Sequence, residues 1–168
     1  MSKLNILSPT KAPCYSCLAT TDVVKLNVDA ATTDSGATIA IATQNSLRKI
    51  SNCWASSYPT TDPCIAEATV LSWALELASA KKLSNILVEG DTKTCIDAIF
   101  GDAKIFSWKI ISIVANVKSF STIFSSCSFL WVKRDANEVA HTLVRFATTL
   151  PTCFSCNSSN LPTSVCEV

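Results

Sequence analysis

Four side chains that could take part in chemistry are spread along the chain, three of them at or near the ends of predicted elements. Asp29 falls late in a strand-like segment, Glu67 lies on a predicted helix, and Asp91 follows a short apolar segment. His141 is the only histidine in 168 residues. Carboxylates and an imidazole can bind cations or transfer protons, but each can also cap a helix or pack in a core. The elements that position them decide between these roles.

Glu67 lies on the apolar face of its predicted helix. The helix begins after Asp62, a good N-cap, with Pro63 at the first helical position. Glu67 precedes Leu71 by four residues and Ala74 by seven, so it shares the face of these apolar side chains. A carboxylate there is costly unless it is paired, protonated or bound to a metal. On its own, an edge position favoured by the helix dipole is the simpler interpretation.

Asp91 and His141 also have alternative interpretations. Asp91 lies between the strand-like SNILVEGD, 84–91, and the helical TKTCIDAIF, 92–100, where it can cap the helix or belong to a site at a strand end. His141 lies off the apolar stripe of the final helix, so it is not predicted to be a core histidine. It remains a weak or outer-sphere metal partner, a group that contacts phosphate or handles protons, or a surface residue. The stripe consists of Val139, Ala140, Leu143, Ala147 and Leu150.

The periodicity of the remaining chain predicts an α/β domain. Three alternating segments in succession predict an antiparallel meander, and helices then alternate with strands. The order β-β-β-α-β-α-α-β-α predicts a five-stranded mixed sheet with helices on its faces. In the helical segment 106–120, the side chains predicted to face the core are Trp108, Ile111, Ile113 or Val114, and Val117. The predicted strands are 23–31, 37–43, 49–56, 84–91 and 121–134, and the other helices are 63–82, 92–100 and 135–150.

Composition limits the class of protein. A chain of 168 residues with 48% hydrophobic content is expected to fold as one globular domain. Its net charge of +1 neither indicates nor excludes nucleic-acid binding. No apolar run approaches the ~18 residues of a membrane span, and the first residues lack the apolar region of a signal peptide. We therefore expect an intracellular monomer, nuclear or cytoplasmic, that is not secreted and does not enter a membrane.

Two segments without periodicity flank the predicted domain of residues 22–150. Residues 1–21 and 151–168 are rich in Ser, Thr, Pro and Cys, and we expect a flexible arm and a flexible tail. Each contains a Cys-x-x-Cys pair, CYSC and CFSC, so four thiols could bind zinc if the termini met. The 136 positions between Cys17 and Cys153 favour chance clustering instead. Without a secretory signal, the nine cysteines are expected to be mostly reduced.

Four stretches in one order give the chain a resemblance to a known family. KLNVDAA, AEATVLSWALELA, ILVEGDTKTCIDAI and VKRDANEVAHTLVRFA resemble a type 1 ribonuclease H domain, most of all its plant retroelement-derived, reverse transcriptase-like branch. The resemblance covers about residues 22–150. None of the stretches is specific alone, but four in this order at suitable spacing are. The resemblance implies a ribonuclease H-like fold, which agrees with the predicted order of elements.

The resemblance also implies a function and a set of site residues. Members of the family use four acids to hold two Mg²⁺ ions and hydrolyse the RNA strand of RNA–DNA hybrids. By motif position, Asp29, Glu67 and Asp91 are the first three acids and ligate Mg²⁺ or Mn²⁺, while His141 stands in place of the fourth. Imidazole is a poorer partner than carboxylate for these hard cations. A catalytically weak or inactive module that binds nucleic acid or another partner is therefore the alternative.

This chain departs from the family pattern around the site. Ala30 replaces the usual glycine after the first acid, and Gly90 replaces the usual serine before the third. The loop before the last helix lacks the histidine that active members often carry there. Candidate contacts to substrate phosphate are Lys133, Arg134 and Asn137.

Overall fold

The computed structural model describes residues 23–101, 107–150 and 153–166, which form a mixed sheet with helices on both faces. The strands are β1 (Val24–Thr33), β2 (Gly36–Gln44), β3 (Ile50–Tyr58), β4 (Asn85–Gly90), β5 (Ser126–Trp131) and β6 (Phe154–Asn157). The helices are α1 (Pro63–Ala80), α2 (Lys93–Phe100), α3 (Ile111–Ser121), α4 (Glu138–Ala147) and α5 (Thr163–Cys166). Short 3-10 turns, Trp108–Ile110 and Arg134–Ala136, precede α3 and α4. Across the described ranges, no helix is long and apolar enough to cross a membrane.

The sheet has the order β5-β4-β1-β2-β3-β6, with β1 near its centre. β1 pairs antiparallel with β2 and parallel with β4. Leu26 and Val28 of β1 pack in the larger core, with residues of α1, α2 and α3. The alternate residues Asn27 and Asp29 reach side chains at α4 on the opposite face. The alternation predicted for β1 therefore places its polar residues toward one helix.

A second, smaller core lies under α4. Ala40 and Ala42 of β2 pack there against Leu143 and Val144 of α4. Small residues on this face of the sheet let α4 lie close to β1 and β2. That close packing brings the first turns of α4 beside Asp29, whose Oδ2 lies 3.0 Å from His141 Nδ1.

The prediction that Trp108 and Ile111 face the core is wrong. Trp108 is 79% exposed and Ile111 is 52% exposed, whereas Ile110 is fully buried. The segment is not one continuous α-helix, because a 3-10 turn precedes α3 and shifts the angular position of these side chains. Val117, also predicted to face the core, is buried.

A sixth strand corrects the prediction of five. β6 and α5 lie within residues 151–168, which were expected to be a flexible tail. β6 pairs antiparallel with the edge of β3, and Val165 of α5 is fully buried in the smaller core. The Phe154 and Phe146 rings meet edge to face, with centroids 5.7 Å apart. This four-residue strand shows too little periodicity to be recognised, and the open edge of β3 that it covers exists only after folding.

The Cys-x-x-Cys pair of this segment is split between two environments. Cys153 is exposed and its Sγ lies 3.0 Å from Ser56 Oγ, whereas Cys156 is buried in the smaller core. Residues three apart in extended chain point to opposite faces, so these two thiols do not converge on one ion. Cys14, Cys17 and the expected arm of residues 1–21 lie outside the described residues.

Packing of β6 predicts that Phe154→Ala destabilises the domain. The ring is half-buried, so its loss should lower the free energy of unfolding by about 2 kcal/mol, roughly half the cost of truncating a fully buried phenylalanine. Ser155→Ala, at the exposed neighbouring position of the same strand, is the matched control and should change little. Urea unfolding of the three proteins measures this, and equal midpoints would show that β6 does not pack on the domain.

Candidate metal centre

The acidic residues meet at the point where β1 and β4 stop pairing. The two strands pair from Val24↔Ile86 to Val28↔Gly90, and Asp29 and Asp91 each follow the last pair. Because parallel strands in register end their pairing together, both carboxylates emerge at the same point. Gly90 allows the close approach of the two strands here, since a Cβ atom on it would lie 3.1 Å from Val28 Cγ2.

Helix α1 brings the third carboxylate to this point. Asp62 caps the helix, and its Oδ1 accepts hydrogen bonds from the Cys64 and Ile65 amides at 3.0 and 3.4 Å. Its other oxygen accepts from Lys109 Nζ at 2.6 Å, which ties the start of α1 to the turn before α3. The cap fixes where α1 begins, so Glu67 lies in its second turn and faces β1. Glu67 is therefore not an exposed residue at the edge of the helix, which was the simpler interpretation of the sequence.

The three predicted acids form one cluster. One carboxylate oxygen each from Asp29, Glu67 and Asp91 lies within 4.8 Å of the other two. The capping alternative for Asp91 is not what the structure shows, because Thr92 is the N-cap residue of α2. Within the described residues, this is the one group of three or more His, Cys, Asp or Glu side chains close enough to share a metal ion.

Burial and repulsion between carboxylates raise the pKa of two of the three acids, Glu67 and Asp29. The pKa of Glu67 rises to about 8, chiefly because the group is buried and next because Asp29 is near, while a Thr92 hydrogen bond opposes the rise. Burial also raises the pKa of Asp29, against the effect of its hydrogen bond with His141. A divalent cation would remove this repulsion, and three oxygen donors suit Mg²⁺ or Mn²⁺. The residues therefore fit the metal that the resemblance implies.

A fourth buried carboxylate nearby is excluded from the cluster by its own partners. Glu89 lies two residues before Asp91 on β4, but its Oε2 is 3.2 Å from Lys25 Nζ and accepts from Asn27 Nδ2 at 3.2 Å. These contacts compensate its charge inside the protein. The negative charge available to a cation therefore comes from the other three acids.

His141 contacts the cluster as a hydrogen-bond donor. Its Nδ1 lies 3.0 Å from Asp29 Oδ2, and the other Asp29 oxygen accepts from the Ala30 amide at 2.9 Å. An ionised carboxylate only accepts, so Nδ1 carries the hydrogen in this pairing. Arg134 Nη2 lies 3.1 Å from Nδ1 and 3.4 Å from Nε2, and with Nδ1 donating to Asp29 only Nε2 has a lone pair to offer the guanidinium. Of the roles left open for His141, this geometry favours an outer-sphere partner that orients Asp29.

The three predicted phosphate contacts are not equivalent. Lys133 and Arg134 are exposed in the connection before α4, and Arg134 lines an open cavity of about 430 Å³ with His141. Asn137 is fully buried, and its Nδ2 donates to the Val28 carbonyl at 2.8 Å. Its prediction as a phosphate contact is therefore wrong, because its amide joins α4 to β1 inside the protein.

Two residues at the site escaped the sequence analysis. Trp131 Nε1 donates to the Asp91 carbonyl at 2.9 Å, which holds the chain at the end of β4. Trp131 is the partner of Gly90 in the parallel pairing of β4 with β5. Thr92 hydrogen-bonds Glu67 across the cluster. The register of β5 against β4 would have identified Trp131, but that register is not visible in either strand alone.

The mixed sheet, the helix order and the acidic cluster together define a ribonuclease H-like α/β domain. Residues 26–147 match the model of a family described as reverse transcriptase-like, and the chain belongs to this family. None of the curated protein sequences matches it.

Solved structures show the same fold. RNase H1 from the halophilic archaeon Halobacterium salinarum NRC-1 is 20% identical, with a TM-score of 0.70, over 76% of this chain and 98% of that one. The N-terminal RNase H domain of Rv2228c from Mycobacterium tuberculosis is 16% identical, with a TM-score of 0.68, over 76% and 94%. LC11-RNase H1, isolated from compost and solved with an RNA/DNA hybrid, is 18% identical, with a TM-score of 0.65, over 73% and 94%.

The raised pKa of Glu67 predicts that the metal-free protein loses stability as the pH rises from 4.5 to about 8. In this window the folded state keeps a proton that the unfolded state has released, so the free energy of unfolding falls with rising pH. Glu67→Gln should flatten this dependence, whereas Glu76→Gln, at an exposed position of the same helix, should not. Urea unfolding in EDTA across this range measures it. The same slope in wild type and Glu67→Gln would contradict the assignment.

Proposed function

We propose that this domain is a divalent-metal-dependent endonuclease that hydrolyses the RNA strand of RNA–DNA hybrids. The observation that carries the proposal is the cluster of Asp29, Glu67 and Asp91, whose carboxylate oxygens lie within 4.8 Å of one another. Membership of the reverse transcriptase-like family supports it. A structural relative solved in complex with an RNA/DNA hybrid supports the choice of substrate.

In this proposal the three acids hold Mg²⁺ or Mn²⁺ where β1 and β4 stop pairing. When bound, a pair of such ions would activate the attacking water and stabilise the leaving oxygen. Asp29, the most buried of the three, takes a fixed orientation from two hydrogen bonds, one from the Ala30 amide and one from His141. His141 thus assists by positioning a ligand, and Lys133 and Arg134 contact the phosphates of the substrate.

The raised pKa of Glu67 gives the site a proton to release. Below a pH of about 8 the metal-free Glu67 carboxyl is largely protonated, so cation binding displaces a proton there. Metal affinity should therefore rise with pH through the neutral range. An intracellular location and a plant retroelement origin stay predictions alongside this function.

A second candidate is a module that binds nucleic acid with little or no turnover. The observation that favours it is His141, which stands in place of the family's fourth acid and lies beside Arg134. Nδ1 of His141 hydrogen-bonds Asp29, and Arg134 Nη2 lies 3.1 Å from Nδ1 and 3.4 Å from Nε2, so a positive group borders the imidazole. Such a site would bind its cations more weakly than four acids do.

A cleavage assay with a labelled RNA–DNA hybrid separates the two functions. With Mg²⁺ or Mn²⁺ present, wild type should cut the RNA strand, and Asp91→Asn should lower the rate by at least about 100-fold, since a ligand of the ions is lost. Asp34→Asn, at an exposed acid in the β1–β2 turn, is the matched control and should cut normally. Hybrid binding without cleavage in wild type would favour the binding module. Cleavage that survives Asp91→Asn would exclude this site as its source.

His141 in place of a fourth acid predicts a preference for Mn²⁺ over Mg²⁺. Wild type should work better with Mn²⁺ than with Mg²⁺, and His141→Asp should shift the preference toward Mg²⁺, because it adds an oxygen ligand. His141→Ala should weaken metal binding by about 10- to 100-fold, the usual effect of losing a group that orients a ligand. Isothermal titration with each metal measures affinity without substrate. Unchanged affinities in both variants would show that His141 has no influence on the metal site.

A further inference from the structure

The end of the sheet where β1 and β4 begin is formed by two connections between elements. β1 begins and β2 ends there, since Lys25 is the partner of Gln44, and β4 begins there as well. The β2–β3 turn, 45–49, and the α1–β4 connection, 81–84, therefore project from the same end of the domain. We call these two connections the basic pole.

The basic pole is strongly positive, although the net charge of the whole chain is only +1. Its four cations, Arg48, Lys49, Lys81 and Lys82, are all exposed. The sequence has no aspartate or glutamate between 35 and 61 or between 77 and 88, so neither connection contains a carboxylate. A chain with a net charge of +1 thus carries four positive charges near the beginning of β4 and its acidic cluster at the end of β4.

The backbone at two of these cations is unusual. Arg48 has φ 61° and Lys82 has φ 57°, and within the described ranges they are the only non-glycine residues with positive φ. Lys82 follows the end of α1, where the Leu83 amide bonds to the Ala78 carbonyl at 3.0 Å, an arrangement that normally takes glycine. Arg48 occupies the corresponding position of a tight turn, with its amide 2.9 Å from the Asn45 carbonyl. Long cations stand where glycine would be less strained, which points to a use for their charge.

We propose that the basic pole binds the sugar–phosphate backbone of nucleic acid, at a surface separate from the metal centre. Exposed hydroxyls of Ser46 and Ser84 lie among the cations, and hydroxyls and cations together are the usual contacts of phosphate oxygens. Leu47 is the one exposed large apolar residue in these two connections, so the pole lacks the apolar patch that a folded protein partner would cover. The two surfaces are separate, because the basic pole flanks the Lys25–Gln44 pair whereas Asp29 lies four residues further along β1, beside Ala40.

The two surfaces differ in their need for divalent cations. Three carboxylates repel phosphate unless metal ions compensate their charge, whereas the basic pole attracts phosphate directly. Binding in EDTA that is lost when cations of the basic pole are removed, with Lys133 and Arg134 unchanged, therefore reports the basic pole, and metal-dependent cleavage reports the acidic site. The proposal does not depend on catalytic activity, and either one can fail alone.

The experiment measures fluorescence anisotropy of a short labelled DNA duplex in EDTA as salt is raised. Arg48→Gly and Lys82→Gly each remove one charge, and glycine fits the positive φ, so both variants should be at least as stable as wild type. Each should weaken binding and reduce the slope of log affinity against log salt by roughly 1, and the double variant by roughly 2. Arg145→Gln removes an exposed cation of α4 and is the matched control, expected to leave the slope unchanged.

Three results would overturn the proposal. The first is a double variant that binds duplex in EDTA as wild type does. The second is an equal loss in Arg145→Gln, which would mean that only net charge matters. The third is competition by polyglutamate as effective as competition by unlabelled DNA, which would indicate an acidic protein partner. Lys49→Gln, a substitution with no effect on the strained positions, should reproduce the loss expected for one phosphate contact.

Discussion

The repulsion among three carboxylates at the parting of β1 and β4 is the constraint on which the site depends. Asp29 and Asp91 emerge side by side because their strands stop pairing after Val28 and Gly90, and α1 adds Glu67 to the same space. Burial and the proximity of Asp29 raise the pKa of Glu67 to about 8. The ionised form of Glu67 is therefore unfavourable unless a cation is bound. The sheet supplies the rigidity that holds this arrangement against its own repulsion, and it is this stored repulsion that makes the site receptive to metal.

His141, in place of a fourth acid, changes the electrostatics of the site without changing the fold of the domain. A carboxylate there would add negative charge to the cluster, whereas His141 donates a hydrogen bond to Asp29 and approaches Arg134. The cluster thereby has three carboxyl groups rather than four, and the orientation of Asp29 depends on an imidazole. The buried Asn137 supports this corner from beneath, since it joins the start of α4 to β1. The ribonuclease H-like frame is thus retained around a site of altered electrostatics.

Acidic and basic residues are separated along the strands of the sheet, although the net charge of the chain is only +1. The carboxyl end of β4 holds the acidic cluster, and the opposite end carries the cations of the basic pole. A domain of this kind can attract phosphate by two physical means, through bridging cations at one end and directly at the other. The first depends on divalent metal and the second on ionic strength, so solution conditions separate them.

The resemblance to a known family identified the three acids, and the sequence by itself determined the order of nine elements and the alternation of β1. These are local properties, because periodicity and capping depend on neighbours a few residues away. Only the tertiary structure decided that Glu67 meets Asp29, that Asn137 is enclosed, and that Trp108 is exposed where a 3-10 turn interrupts the helical period. It also decided the sixth strand, since β6 forms against an edge of β3 that no stretch of sequence contains. Contacts between residues far apart in sequence depend on register and packing, and these arise only when the whole chain has folded.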